Sequence, residues 1–124
     1  MQLGCCYVSI TILRLEEAMY ATIRRYTPTT APTKEAIDDL KHRIEDGFLP
    51  IVQEVRGFHS YGAMNVDNRE LVTFSIFEDR DGATESTRRA AEFVQKDPLK
   101  DQLGKPEVLE GEVLVLKEAL VGVR

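Results

Sequence analysis

Cysteine is confined to the adjacent pair Cys5-Cys6. Neighbouring cysteines form a strained disulfide, and neither zinc spacing nor a C-x-x-C redox motif is present. A reducing cytoplasm is the simplest compartment for such a chain. Histidine occurs only twice, as His42 and His59, so no metal is expected. Long apolar runs are also missing. The stretch from Leu3 to Leu13 falls short of the roughly 20 residues that span a bilayer, and it lacks the basic start and small-residue cleavage site of a signal peptide. Positive charge is in the minority, with 16 Lys+Arg against 21 Asp+Glu and a net charge of -5. The doublets Arg24-Arg25 and Arg88-Arg89 form no basic patch, so neither nucleic acid nor membrane is an expected partner. No paired carboxylates, Ser-His-Asp set or glycine-rich phosphate loop stands out. Composition and spacing alone therefore name no reaction.

What is present suits one folded domain: 124 residues, 43% hydrophobic and 30% charged,. Residues 1–18 are set apart as an N-terminal extension. Tyr7-Val8-Ser9-Ile10-Thr11-Ile12 alternates with β-branched residues and is able to form an extra strand. The alternative is a natural start at Met19, with Leu15-Glu16-Glu17-Ala18 arising from a purine-rich ribosome-binding sequence read as codons. A mature N-terminus at Met1 in the source organism would exclude that start. The domain proper is 19–124.

Tyr20 to Tyr26, rich in β-branched and aromatic residues, is the first expected strand, ended by Thr-Pro-Thr-Thr-Ala-Pro. Thr33 suits an N-cap. Ile37, Leu40, Ile44, Phe48, Ile51 and Val55 then recur at steps of three and four, which predicts one continuous helix. Asp39 with Arg43 and Lys41 with Glu45 lie one turn apart on its polar side. Pro50 predicts a kink, and Gly57 fits the left-handed position past the helix end. Asp67-Asn68 fits a two-residue hairpin turn between Phe58–Val66 and Arg69–Phe77. That register pairs Ala63 with Val72, Tyr61 with Phe74 and His59 with Ile76 on one face. A second helix follows, capped by Asp81, with the small-residue stripe Ala83, Thr87, Ala90 and Val94. Asp97-Pro98 ends it and leads to a short turn of helix closed by Gly104. Glu107 to Leu116 is the last expected strand.

The order β-α-β-β-α-β predicts an α+β ferredoxin-like plait, a four-stranded antiparallel sheet with both helices on one face. Strands apolar on both sides need a second cover. The expectation is a homodimer in which two sheets face each other.

Tyr20-Ala-Thr-Ile-Arg-Arg-Tyr26, Gly57-Phe58-His59-Ser60-Tyr61 and Glu85-Ser86-Thr87-Arg88-Arg89-Ala90-Ala91 together resemble small bacterial proteins of the dimeric α/β-barrel superfamily. This group includes the antibiotic biosynthesis monooxygenases. The resemblance covers Met19 to about Leu116, and its motifs specify the subgroup but no reaction. It implies a cavity between sheet and helices that holds an electron-rich aromatic substrate. That substrate itself reduces oxygen, so no metal or flavin cofactor is implied. Haem-degrading relatives use an Asn, a Trp and a His, and this chain has no Trp. Fold membership alone does not transfer chemistry.

The candidate catalytic residues are His59, Tyr61 and Arg24, with Tyr26 and Phe74 as candidate substrate contacts. His59 can take a proton from a phenolic substrate, or serve as a hydrogen-bonded structural histidine. Tyr61 either orients a ligand carbonyl or is a core aromatic whose hydroxyl finds a backbone partner. Because Arg24 and Arg25 alternate, one of them must face an enclosed side. There it forms a salt bridge to Glu110 or Glu112, or it recognises a substrate carboxylate or phenolate. His42 belongs to a solvated helix face, and Asn65 and Asn68 to the turn. Three functions follow: a cofactor-free oxygenase of a small aromatic or quinol, a dimer that binds a small hydrophobic ligand without turnover, and a structural dimer. In the last, Ile37, Leu40, Phe74 and Ile76 would fill the space entirely.

Overall fold

A computed structural model of the chain describes residues 19–96 and 99–118. The expected extra strand in 7–12 and the break at Asp97-Pro98 lie outside the described residues. Strand β1 (Tyr20–Tyr26) leads to helix α1 (Lys34–Arg43), a π-helical segment (Ile44–Phe48) and helix α2 (Leu49–Gln53). The hairpin β2 (Phe58–Val66) and β3 (Glu70–Phe77) follows, then α3 (Arg80–Lys96), α4 (Leu99–Leu103) and β4 (Glu107–Glu112). All pairings are antiparallel, in the order β2-β3-β1-β4. This is the ferredoxin-like α+β fold.

Helix α1 starts where its side chains dictate. Thr33 Oγ1 accepts a hydrogen bond from the Ala36 N–H at 3.1 Å, which satisfies one of the free donors of the first turn. Arg43 and Asp39 pair at 2.7 Å, whereas Glu45 lies 3.9 Å from His42 instead of against Lys41. The kink expected at Pro50 takes another form. The Leu49 N–H reaches back to the Ile44 carbonyl, and Pro50 falls in the first turn of α2, where its missing N–H costs no hydrogen bond. A π turn adds a residue to the repeat and so rotates the apolar stripe. Phe48, Val52 and Val55 are buried, and Ile51, expected in the stripe, is only half-buried. Gly57 adopts φ 82° past the helix end, as its position suggested.

The hairpin departs from the expected register by one residue. Asp67 and Asn68 are both left-handed, with φ 54° and 57°. Asn65 supports them by accepting from the Asn68 N–H at 3.1 Å and donating to Asn68 Oδ1 at 2.9 Å. Arg69 belongs to the turn, not to the strand, so the ladder opens at Val66 opposite Glu70. Tyr61 therefore pairs with Ser75, Ala63 with Thr73 and Gly62 with Phe74. A one-residue slip reverses which side chains share a face. Thr73, Ser75 and Phe77 point toward the helices beside Thr22, Arg24 and Tyr26, all buried. Phe74 turns to the outer face, where its ring lies so close across Gly62 that an added Cβ would sit 2.3 Å from it. His59 falls at a β-bulge between Phe58 and Ser60, which re-aims local side chains.

Helix α3 is capped by Asp79, not Asp81: its carboxylate accepts from the Gly82 N–H at 2.9 Å. Gly82, Ala83, Ser86 and Ala90 are buried and bring the helix close to the sheet. A Cβ at Gly82 would lie 2.9 Å from the Arg56 carbonyl and 3.0 Å from Phe77. Gly104 closes α4 with φ 69°. Strand β4 ends at Glu112, short of the expected Leu116. It pairs only with β1, which begins at Tyr20, and Leu114 and Val115 beyond it are exposed. The core between helices and sheet centres on Phe48, Val52, Val55 and Phe77, with a second cluster around Tyr26, Val94 and Leu103. On the opposite face Ile23, Met64, Phe74 and Leu109 stay exposed.

Candidate functional site

Alternation along β1 settles which arginine is enclosed. Arg25 points outward, 3.0 Å from Glu70 and 3.6 Å from Glu107. Arg24 points under the helices and is 1% exposed. The alternative of a direct salt bridge to Glu110 or Glu112 is not what forms. Arg24 Nη1 donates to Thr87 Oγ1 at 3.3 Å, and Thr87 donates in turn to Glu110 at 3.2 Å. Thr22 Oγ1 also lies 3.3 Å from Thr87 Oγ1, so this one hydroxyl ties β1, α3 and β4 together. Arg24 Nε and Nη2 are buried with no hydrogen-bond partner among the described residues. The guanidinium carbon sits 6.0 Å from the centre of the Phe48 ring, within the range of a favourable cation–π contact.

Arg24 lines a small cavity of about 30 Å³ together with Tyr26, Tyr61, Phe48 and Thr73. That is space for one or two waters. Beside it lies a groove of about 690 Å³ formed by the loop from Pro28 to Thr33, helix α1, strand β2 and the end of α4. A volume of this size is typical of a small-molecule site. Leu40, Ile44, Tyr61, Leu71 and Leu103 line both spaces, so one layer of side chains separates the buried cation from the groove.

The two tyrosines respond to that setting. Burial pushes the Tyr61 phenol up to about 12, against the opposing pull of the Arg24 charge. Tyr26 is raised for the same reason, again opposed by Arg24. Both phenols stay protonated at neutral pH, so each is a hydrogen-bond donor. Tyr61 also packs on Phe48, ring centres 5.5 Å apart.

Of the residues singled out in the sequence, Arg24, Tyr26 and Tyr61 meet at this cavity. His59 and Phe74 line neither space. His59 Nδ1 lies 3.2 Å from Ser60 Oγ, and its Nε2 lies 2.8 Å from Glu118. Phe74 is on the far face because of the shifted register, and so is Ile76, its expected partner in filling the space. Thr87 and Thr73 join the site without being among the sequence candidates. Their signal was polarity at positions whose alternation or helical spacing points inward. Among the described residues no group of three His, Cys, Asp or Glu side chains is placed to hold a metal ion, and no helix is long and apolar enough to cross a membrane.

The raised Tyr61 value has a measurable consequence. A native pKa above the unfolded value means that the folded state holds the proton more tightly, so stability is intact below about pH 10 and falls as pH rises toward 12,. The urea midpoint of the wild type should decline more steeply above pH 10 than that of Tyr61→Phe. Identical alkaline slopes would contradict the burial of this phenol.

No protein-family model matches the chain. No curated protein is significantly similar to it. Solved structures do share its fold. A protein of unknown function from Nitrosomonas europaea, NE2512, is 17% identical over 84% of this chain and 97% of its own, with a TM-score of 0.64. The monooxygenase from the gene ActVA-Orf6 of Streptomyces coelicolor, solved with the ligand nanaomycin D, is 14% identical over 86% and 94%, TM-score 0.60. A dimeric ferredoxin-like protein from an uncultured marine organism is 14% identical over 83% and 100%, TM-score 0.58. The chain thus has the ferredoxin-like fold of these structures over more than four fifths of its length, a fold also found in antibiotic biosynthesis monooxygenase-like proteins.

Proposed function

We propose that this chain is an antibiotic biosynthesis monooxygenase-like protein whose groove takes a small aromatic or quinol substrate and supports its oxygenation without a metal or flavin. The observation that carries this reading is the meeting of an apolar groove with a buried, incompletely paired guanidinium and two neutral phenols. Arg24 holds an anionic oxygen of the substrate, and Tyr61 and Tyr26 donate hydrogen bonds that fix its orientation. Fixed donors in a dry site interact more strongly with anionic oxygen than the same groups in water. The substrate supplies every electron. One oxygen atom of O2 enters the ring, the other leaves as water with two substrate hydrogens, and a naphthol becomes a quinone. The similarity in fold to a monooxygenase solved with the ligand nanaomycin D supports this reading.

One observation favours a second reading, a dimer that binds a small hydrophobic ligand without turnover. His59, the candidate base, sits outside both spaces, and the carboxylates that line the groove, Glu45, Glu70 and Asp101, do not reach the small cavity around Arg24. Both readings use the same groove and the same pairing of copies. The second copy covers the outer sheet face, where Phe74 is 44% and Leu109 60% exposed and apolar side chains otherwise meet water.

Oxygen uptake with a panel of naphthols and quinols separates the two. The oxygenase consumes one O2 per quinone formed, and Arg24→Met lowers kcat/KM by about 100-fold, with a smaller loss for Tyr61→Phe. Saturable binding without uptake selects the ligand-binding reading, and equal rates in wild type and both variants overturn the assigned roles. For the assembly, sedimentation should give a dimer for the wild type and a monomer for Phe74→Asp. A monomeric wild type would remove the sheet-to-sheet pairing.

A further inference from the structure

We infer that the groove is selective for an aromatic or apolar monocarboxylic acid, whose carboxylate is gripped by the Nε and Nη2 edge of Arg24. This inference rests on the groove being the ligand site. Its starting point is which of the guanidinium atoms are used. Nη1 is engaged by Thr87, and the two atoms left without a partner are Nε and Nη2. These lie on one edge of the planar group and point their N–H bonds in parallel. That edge matches the two oxygens of a carboxylate, which a single phenolate oxygen or a neutral carbonyl satisfies only in part.

The surroundings favour the same ligand. Arg24 is almost wholly removed from water, and a buried cation with unmade hydrogen bonds gains most from a ligand that carries the compensating charge. Glu110 is reached only through the Thr87 hydroxyl, so no carboxylate among the described residues neutralises the guanidinium directly. The phenol of Tyr61, neutral and lining both spaces, is a third donor for the same carboxylate. The wall of Leu40, Ile44 and Leu71 divides the cation from the groove. Rotation of these side chains admits the carboxyl end to Arg24 while the ring stays in the groove. An electron-rich ring held this way by its acid group lies outside the guanidinium's reach and stays open to oxygen.

The test is calorimetric titration at pH 7.5 with 2-naphthoic acid, its isosteric neutral amide 2-naphthamide, and 2-naphthol. The expected result is that naphthoate binds about 10- to 100-fold more tightly than naphthamide, the range of charge-assisted hydrogen bonds. Arg24→Met abolishes that advantage, and Arg24→Lys keeps only part of it because an ammonium has no fork. In the wild type, naphthoate also shifts the Arg24 Nε–H resonance, a readout that does not depend on the variants folding. Equal affinity for acid and amide overturns the carboxylate assignment and leaves the groove as a neutral-ligand site. Binding of none of the three probes overturns the groove itself and the assignment with it.

Discussion

A guanidinium enclosed between sheet and helices, with no carboxylate in contact among the described residues, is a costly placement,, and the side chains around it respond to its charge. Arg24 is held by a hydrogen bond to Thr87, by the face of Phe48 and beside the Tyr26 phenol. Desolvating a charge without pairing it works against folding. The surrounding apolar clusters on Phe77 and Tyr26 must outweigh that cost,. Such an arrangement is characteristic of sites where stability is given up for recognition. The same charge holds down the two phenols that burial alone would raise further.

The sheet presents two very different faces. Toward the helices it is unusually polar for a core, with Thr22, Arg24, Thr73 and Ser75 all buried. Toward the outside it is apolar, with Ile23, Phe74 and Leu109 in register across neighbouring strands. An interior that keeps polar groups beside a groove suits ligand recognition more than passive packing. An exterior that keeps apolar groups suits association.

Much of this was legible in the sequence. Alternation in Tyr20–Tyr26 gave the first strand and the dilemma of its two arginines. The caps at Thr33, Gly57 and Gly104 followed from local chemistry, and the element order led to the ferredoxin-like sheet. What was not legible turned on single-residue offsets. Arg69 entered the turn after Asp67-Asn68, and that moved Phe74 and Ile76 to the far face. The π turn before Pro50 moved Val52 into the core. The bulge at Phe58 and Ser60 took His59 out of the expected row. Neither turn length, π turn nor bulge has a residue pattern that periodicity alone reveals. Thr87 belongs by spacing to a small-residue stripe, and its bond to Arg24, which links residues 63 positions apart, leaves no mark in local periodicity.

Chemical denaturation of Arg24→Met beside the wild type is the measurement closest to the central claim. A buried cation with no carboxylate partner among the described residues predicts that replacing it with an apolar side chain of similar length leaves stability unchanged or raises it by about 1 kcal/mol or more. A loss of about 3–5 kcal/mol, the cost of breaking a true buried ion pair, would contradict the account and make Arg24 a structural residue.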